Sequence, residues 1–141
     1  MNVSVKGEYA LRAVFELALR GSSEPIKIAD IASRQHIPQK FLELILSQLK
    51  QGGFLSSRRG AEGGYYLARS PEQLTVGDIL RHIDGPMSPR RQRGNLRDSP
   101  FPELWDELER ALSQVIDSTT FAGLVHRWHE KNASKMANWE I

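Results

Sequence analysis

The feature that most restricts the fold is the stretch "IADIASRQHIPQKFLELILSQLKQGGFL", Ile28 to Leu55. Ile28, Ile31 and Ala32 mark a short amphipathic helix, and "RQH" leaves room only for a tight turn. Pro38 falls at the first position of the next helix, where no N–H is needed. Leu42, Ile45, Leu46 and Leu49 then repeat at helical spacing until Gly52 and Gly53 stop the run. Two short helices joined by so tight a turn make either a helix-turn-helix or an αα-corner of some other helical domain. This segment alone leaves both open.

The next twenty residues of the chain decide between them. "FLSS" and "YYLARS" carry strand-type residues, and "RRGAEGG" joins them. A two-stranded hairpin directly after the second helix is a wing, with glycines that allow positive φ and close backbone approach. A Walker phosphate loop is excluded, because no Gly-Lys-Ser/Thr follows and no helix begins there. "GAEGG" also has the wrong spacing for a dinucleotide fingerprint and opens a strand. Arg58 and Arg59 at the mouth of the loop suit a phosphate backbone or a narrow minor groove.

The flanks are helical. In "KGEYALRAVFELALRG", Ala10, Leu11, Val14, Leu17 and Ala18 form an apolar face. Glu8, Arg12, Glu16 and Arg20 alternate in sign at four-residue spacing, which predicts an exposed face of i,i+4 pairs, and Gly21 ends the helix. "EPIK" is an extended connector. In "SPEQLTVGDILRHIDG", Thr75 caps a helix with Asp78 three residues on, His82 stands four residues from Asp78 to pair with it, and Gly85 closes it. "PMSPRRQRGNLRDSPFP" holds four prolines and no periodicity, so it is a loop. From Glu103 a second helical stripe runs through Leu104, Leu108, Leu112 and Val115. A last turn capped by Thr119 or Thr120 leads into a frayed tail, "ASKMANWEI". The expected architecture is mostly α with a small β-hairpin wing. Residues 1–85 form a winged helix-turn-helix, 86–102 a Pro/Arg-rich loop, and 103–141 a dimerisation helix with its tail.

Composition narrows the function. Among 141 residues, 26% are charged and the net charge is only +2, so positive charge matters here by its clustering. Cysteine is absent, which removes disulfides, thiolate zinc sites, a cysteine nucleophile and cysteine-ligated iron–sulfur clusters. No apolar run reaches bilayer length, and the N-terminal stretch carries Lys6, Glu8, Arg12 and Glu16, unlike a signal peptide. The expectation is a cytoplasmic protein with no membrane partner. No nucleophile–base pair or metal constellation supports an enzyme.

Three blocks, "KGEYALRAVFELA", the helix pair of Ile28 to Leu55 and "RGAEGGYYLARSPEQLTVGDILRHIDG", resemble the Rrf2 family of bacterial transcription regulators. The third is the most specific, because few families join such a "GGYxLARxPxxxTVxDI" pattern to a preceding helix-turn-helix. The likeness is strong over residues 1–85 and looser along the helix from Glu103. It implies a homodimer with crossing C-terminal helices, bound to a pseudo-palindromic operator on double-stranded DNA. It also implies that the second helix of the pair reads the major groove, with Gln39, Lys40 and Glu43 near its N-terminal end. Glu43 matches a glutamate that accepts from a cytosine amino group; the bland alternative is a solvated acid. Arg59 matches a wing arginine of the minor groove, with a carboxylate partner such as Glu62 as its alternative. Gly63, Gly64 and Tyr65 complete the DNA-facing set with Arg58, and Lys6 and Tyr9 flank the backbone.

Many family members hold a [2Fe–2S] cluster through three cysteines in the loop before the long helix. Here that loop has none, so no cofactor and no metal are expected. Some relatives use oxygen and nitrogen ligands, which would make Glu8 a candidate, but Arg12 competes for it. His126 and His129, with Glu130 beside them, could approach a metal, but no further ligand is identifiable nearby and a solvated helix end fits them better. His36, in the turn, could touch phosphate. Arg90, Arg91, Arg93 and Arg97 could meet phosphates, an acidic protein or only solvent. The leading expectation is a dimeric DNA-binding regulator, a repressor, answering to an effector ligand or partner protein. The alternative is an interaction module, or a regulator working through a partner metabolic enzyme, with DNA binding secondary.

Overall fold

A computed structural model describes residues 2–21, 23–89 and 99–139. The element order is α1 (Val5–Arg20), α2 (Ile28–Gln35), α3 (Gln39–Gln51), β1 (Leu55–Arg58), β2 (Gly64–Leu67), α4 (Val76–Asp84), α5 (Phe101–Ser118) and α6 (Phe121–Trp139). The expected mostly-α fold with a hairpin wing is present. The arginine run 90–97 lies outside the described residues.

α1 is the central helix of the core. Ala10, Ala13, Val14 and Leu17 are buried against Ile31, Leu42, Ile45, Leu46 and Leu49 of α2 and α3, and against Ile79 of α4. Its ends are set locally. Ser4 accepts from the Gly7 N–H, and Gly21 takes the left-handed conformation. Pro38 is the residue before α3 rather than its first, a one-residue shift.

The charged face expected on α1 is only partly a solvent face. Glu8 and Arg20 are exposed and Glu16 pairs with Arg20 as expected, but the middle of the face turns inward. Glu16 is 2% exposed. Its carboxylate accepts from Arg20 Nε and from Gln35 Nε2, each at 3.0 Å, so α1 grips α2 through a satisfied buried acid. Arg12 lies over the Tyr9 ring of its own helix and donates to the Gln35 carbonyl of α2 rather than to Glu8. Four-residue alternation of charge looks the same in sequence whether the partners are neighbours on the helix or groups on the next one.

Two long-range ties close the winged unit. Asp84, at the end of α4, accepts from the Ser4 backbone N–H at 3.0 Å and from the Ser4 hydroxyl. Thr75 pairs with Thr120 in an isolated antiparallel bridge, where Val76 N–H donates to the Thr119 carbonyl and Phe121 N–H to Leu74. That seam breaks the helical run between α5 and α6. Thr120 caps α6 by accepting from the Gly123 N–H, and the expected short turn and frayed tail form a 19-residue helix instead. Phe121 is fully buried in the winged core, and Trp128 meets Phe15 of α1 edge-on at 6.0 Å.

α5 touches the rest of the chain chiefly along α4. Arg81 grips Asp117 with both guanidinium nitrogens, at 2.5 and 2.8 Å. Gly77 makes room, because a Cβ there would collide with the Asp117 carboxylate.

Candidate nucleic-acid interface

α3 buries Leu42, Ile45, Leu46 and Leu49 and turns Gln39, Lys40, Glu43 and Ser47 to solvent. A helix repeats every 3.6 residues, so the last three share the face opposite the buried stripe. His36, the residue that ends α2, has φ 54°, the only positive φ among the described non-glycine residues. It ends α2 abruptly, so the first turn of α3 projects free of its neighbour.

The wing comes directly after α3, without slack. β1 and β2 pair antiparallel, Leu55 opposite Leu67 and Arg58 opposite Gly64, and the loop 59–63 carries Arg59 outward. Arg58 and Arg59 are exposed. Gly60 sits at φ 110°, and the Gly63 N–H donates to its carbonyl at 2.9 Å, which fixes the loop as a tight turn. Lys50 at the end of α3 donates to Ser57 Oγ at 2.6 Å and ties helix to wing.

Gly64 and Tyr65 have a structural duty beside any contact with DNA. Ile26 and Tyr65 exchange both backbone hydrogen bonds, at 2.8 and 2.9 Å, so an isolated antiparallel bridge pins the connector before α2 to the hairpin. A side chain at Gly64 would collide with the Ile26 carbonyl. Tyr65 is half-buried near the loop end of the wing, and Gly63 is half-buried in the turn. Lys6 and Tyr9 meet α3 at a cleft shared with Phe41 and Leu44, two exposed apolar residues that the stripe at Leu42, Ile45, Leu46 and Leu49 leaves outside.

The stripe on α5 is exposed at Leu104 (42%), Leu108 (38%) and Val115 (63%), with Leu112 half-buried. Ile116, off that stripe, is the buried residue of this helix.

The histidines take ordinary roles. His82 does not pair with Asp78, whose carboxylate accepts from the Thr75 N–H in a capping box. His82 Nε2 lies 2.8 Å from the Gln48 carbonyl and its ring meets Phe54 edge-on, tying α4 to α3. His126 pairs with Glu130 at 3.1 Å on an exposed turn. Among the described residues no three His, Cys, Asp or Glu side chains converge as metal ligands. A cluster held by three cysteines does not fit this chain, which contains no thiolate. No helix among the described residues is long and apolar enough to cross a membrane.

Comparison with known proteins agrees with this architecture. The family model Rrf2, described as an iron-dependent transcriptional regulator, matches residues 3–127. The regulator CymR of Bacillus subtilis is 36% identical over 124 residues, covering 88% of this chain and 89% of its own. IscR of Cronobacter sakazakii is 31% identical over 131 residues, covering 89% and 81%. The solved structure of B. subtilis CymR superposes with a TM-score of 0.82 at 35% identity, covering 90% of this chain and 98% of CymR. The structure of T. potens IscR gives 0.79 at 33%, covering 93% and 90%. With a helix-turn-helix, a pinned wing and this likeness along most of its length, the chain belongs to the Rrf2 family of DNA-binding transcriptional regulators and is not an enzyme.

Proposed function

We propose that the chain works in the cytoplasm as a homodimeric, sequence-specific repressor that needs no cysteine-ligated iron–sulfur cluster. The observation that carries the proposal is the outward face of α3, where Glu43 stands exposed one turn from Lys40 and Gln39 on a helix whose other side is fully buried. A carboxylate on a major-groove helix accepts from the cytosine N4 amino group, which no other base edge there reproduces at the same place. Lys40, Arg58 and Arg59 supply phosphate and minor-groove attraction that grips without reading.

Two such helices reading a two-fold operator require a second chain. The exposed stripe on α5 supports that: Leu104, Leu108 and Val115 on one 18-residue helix are more apolar surface than a lone helix keeps in water without a partner. The absence of cysteine removes the donor set that family members use for a cluster, so control falls to an effector ligand, a partner protein or abundance. The test is selection of binding sites from random duplex DNA with the full chain. Enrichment of a symmetric site, with protein bound as two copies, supports the proposal; enrichment of none, with binding that depends only on salt, overturns it.

A further inference from the structure

The outward face of α3 is not uniformly polar. Phe41 is 61% and Leu44 59% exposed, and Val5 at the start of α1 is 66% exposed beside them. With Lys6, Tyr9 and Ile45 they line a cleft of about 370 Å³. Apolar surface gathered in this way on a small domain marks a contact. Its position selects the occupant. Leu44 follows Lys40 by one turn, so the two share an exposed face, and Glu43, one residue before Leu44, is exposed at its edge. Lys6 lines the cleft from α1, and Lys40 is exposed on α3 one turn before the lining residue Leu44. Cations flanking an apolar spot, next to a hydrogen-bonding carboxylate, match a groove with phosphate walls and one apolar group on its floor. In the major groove of unmodified DNA that group is the 5-methyl of thymine.

We infer that Leu44, with Phe41 beside it, reads the 5-methyl group of a thymine next to the base pair addressed by Glu43. The inference rests on the DNA-reading role proposed for α3. Glu43 selects by a hydrogen bond, and Leu44 selects the neighbour by burial, so two adjacent residues read two adjacent pairs by different physics. Removing one methyl from that contact weakens binding about three- to fivefold per half-site.

The experiment starts from the site enriched by the full chain and replaces each thymine in turn with deoxyuridine. At one thymine per half-site, beside the Glu43-dependent pair, wild type loses about three- to fivefold in affinity. Leu44→Ala loses as much on the unmodified site and becomes indifferent to deoxyuridine there. Leu44→Gln, in a fresh selection, exchanges that thymine for adenine. Because Leu44 is exposed, both variants melt close to wild type. The inference is overturned if no thymine methyl matters while Glu43→Ala still changes base preference, or if Leu44→Ala keeps the full deoxyuridine penalty. It is overturned too if Leu44→Ala changes oligomer mass and leaves DNA binding intact, which would make the cleft a protein contact. If no site enriches at all, the parent reading fails and this one falls with it.

Discussion

On α3, Leu42, Ile45, Leu46 and Leu49 are all buried; on α5, Leu104, Leu108, Leu112 and Val115 recur at much the same spacing and none is buried. The two helices read alike in sequence. They differ in what the fold places over them. α3 meets α1, α2 and α4, whereas α5 meets chiefly α4, held there by an ion pair, and buries only Ile116. Apolar periodicity therefore shows that a face will be covered, and only the surroundings show whether the cover comes from the same chain.

The sharpest way to break that comparison is at Phe121, the residue α6 contributes to the core. Phe121→Ala should destabilise the winged unit by about 3–5 kcal/mol, read by thermal or denaturant unfolding. A loss below about 1 kcal/mol would mean that α6 is dispensable to the core. On α5 the equivalent blow should spare the fold. Leu108→Asp should leave a folded monomer, by light scattering, whose operator affinity falls about a hundredfold because the second half-site is no longer tethered. A wild-type chain that is monomeric at tens of micromolar would refute the covering partner.

Smaller effects separate reading from gripping. Glu43→Ala should remove about 1–3 kcal/mol of discrimination at one base pair per half-site while nonspecific affinity holds. Arg59→Ala should instead weaken all sequences together and lower the salt slope by about one per protomer. An equal shift on every sequence with Glu43→Ala would reduce Glu43 to a surface acid.

The α4–α5 contact offers a still smaller lever. The hydrogen bonds from Arg81 hold the Asp117 carboxyl below its usual range and raise the Arg81 pKa. A depressed carboxylate stabilises the fold above its unfolded pKa and loses that contribution as pH falls through the folded value. Asp117→Asn should therefore lower stability at neutral pH, and its difference from wild type should close below about pH 4. Both side chains are well exposed, so the effect stays within about 1 kcal/mol. At the end of the scale stands an expected zero. The protein should purify colourless even without oxygen, and dithionite or air should not change its DNA affinity; a brown preparation with stoichiometric iron and sulfide would move Glu8 and the histidines to the centre of control.

The parts of the molecule legible in sequence are those whose cause is local. The capping box of Thr75 and Asp78, the stop at Gly21 and the stripe on α3 each rest on residues a few positions apart. Glu16, His82 and Asp84 were not legible, because their partners Gln35, Gln48 and Ser4 lie 19, 34 and 80 positions away. At the candidate interface, the reading face of α3 follows from the helical repeat. The bond between Ile26 and Tyr65 could not be read, since nothing in "EPIK" says which backbone it meets.

The burial of Phe121 has a consequence for the order in which the chain becomes competent. A ribosome delivers residues 1–85, with the reading helix and the wing, well before the side chain that completes their core. Between the two it must deliver all of α5. No nascent chain can therefore hold a finished reading head while lacking the helix that bears the exposed stripe. A premature stop within α5 removes Phe121 and, with it, Leu124 and Val125 from that core, so the truncated chain should be a poorly stable competitor for the operator.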